Sequence, residues 1–372
     1  MNRIDEKYLA LLRAALWGDE LMGEGLNGLT GERVNDVIRL AAFQGTGPLV
    51  YDQLLKMQDL KISAESRMQM KQQCLQSIML QKTMFDILAK SKETLAKINI
   101  HPVLLKGFGL AQYYPQPHLR MWGDIDLYVG QKNYHKACSA LRAAFPDTPH
   151  NAVEGEDYKH YNLDFPNTAL EIHRISMTFA HPRDRKYYED LEARYLTKDG
   201  PKIVVEGLKI TLPEDTFNVF FTFLHAWHHF EGTGMNFKQL CDIAVLLHTQ
   251  RDTIDRDLLK GMLTKLHLMD VWQLIIYVLV QYLGLSKDES PFYTELCKDR
   301  ADLLFERLLK ESTARMSHKK EAEDMPYLKR KLLTLQSRFA ESNTIKPYSP
   351  KYARHMLWSA IVHGIERTVK RK

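Results

Sequence analysis

A chain of 372 residues, 45% hydrophobic and 26% charged, fits an ordinary soluble globular protein long enough for two or three domains around a sizeable core. Its net charge of +5 is unevenly placed: residues 311–372 hold 14 Lys+Arg against 6 Asp+Glu, which suits either a solvated helical face or a phosphate-rich partner such as nucleic acid, nucleotide or an anionic lipid surface. The four cysteines, Cys74, Cys138, Cys241 and Cys297, are scattered without C-x-x-C spacing, so neither a disulfide framework nor a structural zinc is implied.

The first residues, Met1 to Lys7, reach charged positions at once and lack the apolar core of a signal peptide, so the expected setting is cytoplasmic. Residues 1–97 read as helical. Leu9, Leu12, Ala15 and Leu16 recur at helical spacing, as do Val34, Val37, Ile38 and Ala41. The stretch Ser63 to Lys97 is rich in Gln, Lys, Met and Leu, all good helix formers, and its Met68, Met70, Met79 and Met84 are expected to fill core.

Residues 98–212 read as an α/β segment. An apolar run from Ile98 ends at Lys106-Gly107, and a helix-like stretch, Phe108 to Tyr114, follows and stops at Pro115. A strand–Gly–helix junction offers free backbone N–H groups, and glycine lets that backbone approach an anion closely. Next comes Met121 to Gly130, MWGDIDLYVG. If this is a strand, Asp124 and Asp126 share one face while Ile125 and Leu127 point into a core. Paired carboxylates repel unless a cation compensates, and Mg²⁺ is the usual one. A helix is expected over Lys132 to Ala144. Tyr161 to Phe165 and Thr168 to Ile175 then read as a strand pair about Pro166-Asn167, with Glu171 and His173 on one face and Leu170 and Ile172 on the other. Lys202 to Thr211 reads as a small hairpin centred on Glu206-Gly207.

Residues 213–372 return to helix. Thr211-Leu212-Pro213-Glu214 has the pattern of a capping box, with Thr211 as N-cap and Pro213 in the first turn of a buried helix running to Phe230. That helix carries His225, His228 and His229, at a spacing that helical metal pairs use, although the acidic member of an H-E-x-x-H motif is absent. Core or surface histidines are the default, and cleft lining is the functional alternative. A second helix, Asn236 to Thr249, carries Asp242, with Lys238 four residues earlier as an alternative salt-bridge partner. Val271 to Leu285 is apolar but contains Gln273 and Gln281 and is too short to span a bilayer comfortably, so it reads as a buried core helix. From Tyr352 to Lys372, Trp358, Ile361, Val362, Ile365 and Val369 share a helical face ahead of Lys370, Arg371 and Lys372. This reads as a helix docked on the body, with nucleic-acid or membrane-surface binding as the alternative.

The order of a Gly turn, a carboxylate pair on a strand and a third carboxylate on a later strand resembles the DNA polymerase beta-type nucleotidyltransferase superfamily. More closely, LLKG, YYP, DIDLYV, LEIH, LPED and LCDIA, between Ile98 and Gln250, resemble the bacterial nucleotidyltransferase family often labelled uncharacterised. The resemblance implies an α+β fold: a polymerase beta-like core (a small mixed sheet with flanking helices) over residues 98–212, between an N-terminal helical region, 1–97, and a C-terminal helical domain, 213–372. It implies an enzyme in which Asp124, Asp126 and Glu171 hold two Mg²⁺ (or Mn²⁺) ions, and an NMP passes from an NTP to an acceptor hydroxyl with release of pyrophosphate. Lys106, Gly107 and Arg120 would face the nucleotide, while His173, His225 and Asp242 would line the acceptor cleft. One departure is that the superfamily usually has Gly-Gly or Gly-Ser at the turn, where this chain has Gly107-Phe108. A hydroxyl contact to phosphate is lost there, and Lys106 could supply charge instead. The acceptor is open among a small molecule, a sugar, a protein side chain and RNA. The alternatives of another class are a non-catalytic nucleotide-binding protein and an RNA-interaction protein using the basic tail.

Overall fold

A computed structural model describes residues 3–18, 29, 31–57, 60–150, 159–232, 234–310 and 327–370. The chain divides into two compact units, Met1–Thr178 with Glu189–Asn218, and Phe179–Tyr188 with Val219–Lys372.

The first unit opens with helices α1 (Arg3–Trp17), α2 (Gly31–Phe43) and α3 (Gly47–Lys56), which pack on one another, and α3 leans on the long α4 (Ala64–Ala96). The Ser63 side chain caps α4 by accepting from the Ser66 N–H. Four strands follow: β1 (Val103–Leu105), β2 (Ile125–Tyr128), β3 (His160–Phe165) and β4 (Thr168–His173), in the sheet order β1-β2-β4-β3. β1 runs antiparallel to β2, β2 parallel to β4, and β3 antiparallel to β4. Pro166 and Asn167 make the β3–β4 turn, and Asn167 takes the positive φ of +67° that the second turn position requires. Helices α5 (Gly107–Ala111) and α6 (Tyr134–Ala144) lie between strands in sequence. Alternation along the strands sends Ile125, Leu127, Leu170 and Ile172 to one face, where they bury against Leu88 and Leu95 of α4, Phe108 of α5 and Leu141 of α6. The opposite face is left to the charged residues. A separate hairpin, β5 (Lys202–Val205) and β6 (Leu208–Thr211), turns at Glu206-Gly207, both at positive φ, and adds Ile210 to the same core.

The second unit holds the first half of α7 (Pro182–Tyr195), most of α8 (Asp215–Gly232), α9 (Phe237–Thr249), α10 (Arg256–Lys265), α11 (Met269–Leu283), α12 (Lys298–Lys310), α13 (Tyr327–Ile345) and α14 (Pro350–Lys370). α11 is the expected core helix, with Trp272, Leu274, Ile275, Ile276 and Val278 fully buried. Arg300 clamps Asp270 with both guanidinium nitrogens, at 3.0 and 2.9 Å, and reaches the Tyr348 carbonyl ahead of α14. No helix among the described residues is long and apolar enough to cross a membrane.

Three expectations need correction. Thr211 does not cap a helix: it ends β6 opposite Lys202. The cap of α8 is Glu214, whose side chain accepts from the Phe217 N–H at 3.1 Å, so the helix begins two residues after Pro213. Met68 and Met79 are exposed, with only Met70 and Met84 in the core, because α4 buries a single stripe and the other two methionines lie off it. On α14, Trp358 is 58% and Ile361 42% exposed; the helix docks instead through buried Ala353 and Ser359 and a 2.7 Å hydrogen bond between His355 Nε2 and Asp184. The side chains of Ile365 and Val369, and residues 371–372, lie outside the described residues.

Candidate active site

The Lys106-Gly107 turn is a tight one. Both residues have positive φ, +40° at Lys106 and +45° at Gly107. Glycine tolerates this and lysine does not, so Lys106 holds a strained conformation at the point where β1 hands over to α5. Gly107 also lies against the chain entering β2: a Cβ there would stand 2.8 Å from the Asp124 carbonyl oxygen. The turn and the carboxylate strand are therefore seated on each other by the missing side chain.

Strand register fixes the acids. Asp126 sits between Leu105 of β1 and Glu171 of β4, with Asp126 and Glu171 directly opposed in the parallel pair. Asp126 is 2% exposed, while Asp124, just ahead of β2, is exposed. One register step along, Tyr128 pairs with His173, which pairs in turn with His160. Asp126, Glu171, His173 and His160 thus share the sheet face opposite α4, α5 and α6.

Nitrogen groups surround the buried carboxylate. Lys106 Nζ and His173 Nε2 each stand 2.9 Å from Asp126 Oδ1. His173 Nε2 is also 3.2 Å from Glu171 Oε2, and His160 Nε2 is 3.7 Å from Glu171 Oε1. Burial works to raise the Asp126 carboxyl, but Lys106 and then His173 outweigh it and hold the group well below the usual carboxylate range. Lys159, one residue before β3, is pushed down to about 8 by desolvation and then by the charge of Lys106, against the pull of Asp126, Glu171 and Glu192. Desolvation also lowers His160, against the opposite pull of Glu171. Glu192, on the part of α7 that belongs to this unit, accepts from both the backbone N–H and the hydroxyl of Ser176. Burial nevertheless pushes its carboxyl up to about 7.

Of the residues singled out in the sequence, Lys106, Asp126, Glu171 and His173 come together, and Asp124 and Gly107 meet through backbone. Arg120 is buried, and one guanidinium nitrogen donates to the Met121 carbonyl at 3.3 Å. His225 and Asp242 belong to the second unit. His225 Nε2 lies 3.2 Å from His229 Nε2, and Asp242 is buried on α9. Sequence reasoning missed Lys159, His160 and Glu192. The two-residue turn at Pro166-Asn167 could have given His160, since counting outward from it pairs 160 with 173. Nothing in the sequence points to Glu192, sixteen residues from its partner on another element.

The family whose model matches the chain is described as an uncharacterised nucleotidyltransferase, and the match runs over residues 30–284, more than half of the chain. No curated protein and no solved structure matches.

Proposed function

We propose, from the premise that this chain belongs to that uncharacterised nucleotidyltransferase family, that it transfers an NMP from an NTP to an acceptor hydroxyl with release of pyrophosphate. The observation that carries the reading is the direct pairing of Asp126 with Glu171 across β2 and β4, beside a Lys-Gly turn packed on the Asp124 carbonyl. Its core is read as polymerase beta-like on the same grounds.

By its chemistry, though not by a clustering of the three groups, the donor set is of the kind that hard divalent ions take. Asp124, Asp126 and Glu171 offer carboxylate oxygens, the ligands Mg²⁺ or Mn²⁺ takes. Asp124, Asp126 and Glu171 would hold such ions, which would supply Lewis-acid activation of the acceptor hydroxyl and charge neutralisation for the leaving pyrophosphate. The chain's own residues do the rest. Gly107 lets the turn seat on the Asp124 carbonyl, and Lys106 of the same turn, 16% exposed, supplies the charge assigned to phosphate. Arg120 is assigned to the nucleotide through the resemblance. His173 fixes the orientation of Asp126 and Glu171 through one ring nitrogen. His225 and Asp242 are assigned to the acceptor side through the resemblance alone, and a small molecule, sugar, protein or RNA would serve as acceptor.

One observation favours a second reading, nucleotide binding without turnover. Phe108 is wholly buried in the core, so the position that bears a hydroxyl or glycine in the wider superfamily offers phosphate nothing. The test is incubation of the full chain with α-labelled NTPs and Mg²⁺ or Mn²⁺. The enzyme reading expects a labelled product and pyrophosphate, both abolished by Asp124→Ala with Asp126→Ala. Nucleotide binding that survives those changes and never yields pyrophosphate overturns it.

A further inference from the structure

We propose that His160, Glu171 and His173 form a site for a first-row transition-metal dication, distinct in chemistry from the all-oxygen site of the aspartates. The proposal deepens the reading above and rests on it only in sharing Glu171. The histidines come from neighbouring antiparallel strands in direct register, with ring centroids 4.9 Å apart. One donor atom from each of the three residues lies within 4.8 Å of the other two. An ion with bonds of about 2.1 Å holds adjacent ligand atoms about 3.0 Å apart in octahedral and about 3.4 Å apart in tetrahedral geometry. From Glu171, Oε2 stands 3.2 Å from His173 Nε2, inside that span, and Oε1 stands 3.7 Å from His160 Nε2, about 0.3 Å beyond it.

Hydrogen bonding accounts for His173, which bonds Asp126 at 2.9 Å, but not for His160 opposite Glu171. At 3.7 Å the His160–Glu171 contact is too long for a hydrogen bond, although the two groups face each other. Glu171 turns one oxygen toward each imidazole, as a carboxylate between two ring nitrogens does around a shared cation. Imidazole nitrogen selects the cobalt, nickel and zinc class over Mg²⁺, which takes oxygen. An ion taking His173 Nε2 withdraws that nitrogen from Asp126, and Asp126 keeps Lys106 at 2.9 Å in compensation. The far nitrogens, Nδ1 of both histidines, are buried with no hydrogen-bond partner among the described residues. Ligating histidines normally have such an outer partner, and losing one weakens affinity about 10–100-fold. The ion is therefore an exchangeable one, not a permanent structural one. Glu171 and His160 are partly exposed and leave the ion an open side.

The test uses Co²⁺, whose visible absorption reports imidazole ligation, on nucleotide-free, chelator-stripped full chain. One equivalent should bind with visible bands that Zn²⁺ displaces. His160→Asn, which removes a ligand outright, should weaken Co²⁺ by more than the about 100-fold at which loss of an outer partner tops out. Asp124→Asn, which keeps both histidines, should leave the bands and the affinity within about threefold, since independent sites change less than coupled ones. Near-ultraviolet circular dichroism verifies that each variant is folded. Absence of bands in the unaltered chain, equal affinity in His160→Asn, or loss in Asp124→Asn alone overturns the proposal. Bands that persist in a chain yielding no pyrophosphate from any NTP sink the nucleotidyl-transfer reading and leave this site standing.

Discussion

Glu192→Gln tests how the site's surroundings are charged. Glu192 is 3% exposed, and its carboxyl titrates near 7 instead of the ordinary 4.5 because burial disfavours the anion. The folded chain therefore holds the proton more tightly than the unfolded chain, and ionisation works against the fold. The contribution is full below about pH 4.5 and is lost as pH rises through about 7. A raise of about 2.5 units at 1.36 kcal/mol each makes the loss about 3 kcal/mol, with little solvent screening at this depth. Glutamine keeps the oxygen that Ser176 donates to and never ionises. Urea unfolding by circular dichroism should find the variant within about 1 kcal/mol of the parent at pH 5 and about 3 kcal/mol more stable at pH 8. A difference that stays flat with pH, or a variant less stable at pH 8, refutes the reasoning.

Gly107→Ala places a methyl group 2.8 Å from the Asp124 carbonyl at a backbone φ of +45°. It should lower the urea midpoint by the equivalent of about 1–3 kcal/mol and weaken NTP binding in a filter assay. Gly109→Ala, whose methyl group meets the Leu212 side chain at 2.7 Å and that of Leu104 at 3.5 Å, should lower stability without weakening NTP binding. Deleting residues 351–372 is the wrong test of the basic tail, since Ala353, Ser359 and the His355–Asp184 pair go with it. Changing Lys370, Arg371 and Lys372 to Gln should leave melting unchanged and lower the salt slope of RNA retention by about 2–3. A slope that stays unchanged assigns those charges to solvent.

Local pattern made much of this legible. The apolar alternation in Ile125 and Leu127, and in Leu170 and Ile172, gave the faces of both site strands. Pro166-Asn167 and Glu206-Gly207 gave two turns. Long-range pairing was not legible: nothing in the sequence says that β4 inserts beside β2 with Asp126 opposite Glu171, because that register depends on α6 and β3 crossing between them. The Thr-x-Pro-Glu pattern misled because a threonine ending a strand and one opening a helix look alike when a proline follows. The methionines misled because composition does not say which stripe of a long helix meets a partner. Lys106 was legible as a charge at the Gly turn, but its partner Asp126 was not.

That partner shapes how the proposed enzyme would load. Lys106 already neutralises Asp126, so a divalent ion reaching this carboxylate must displace a bonded cation at 2.9 Å. An incoming triphosphate offers Lys106 a better-charged partner and releases Asp126. Nucleotide and metal should therefore bind with positive coupling, and linkage requires the coupling to be equal in both directions. Mn²⁺ titration by electron paramagnetic resonance, with and without a non-hydrolysable NTP, should find an affinity gain of about 5–150-fold. In Lys106→Met the resident cation is gone, so nucleotide-free Mn²⁺ should bind more tightly than to the parent and most of the nucleotide's advantage should vanish. Coupling that is undiminished in Lys106→Met means that the ammonium does not guard Asp126, and the loading order drawn from this ion pair is then wrong.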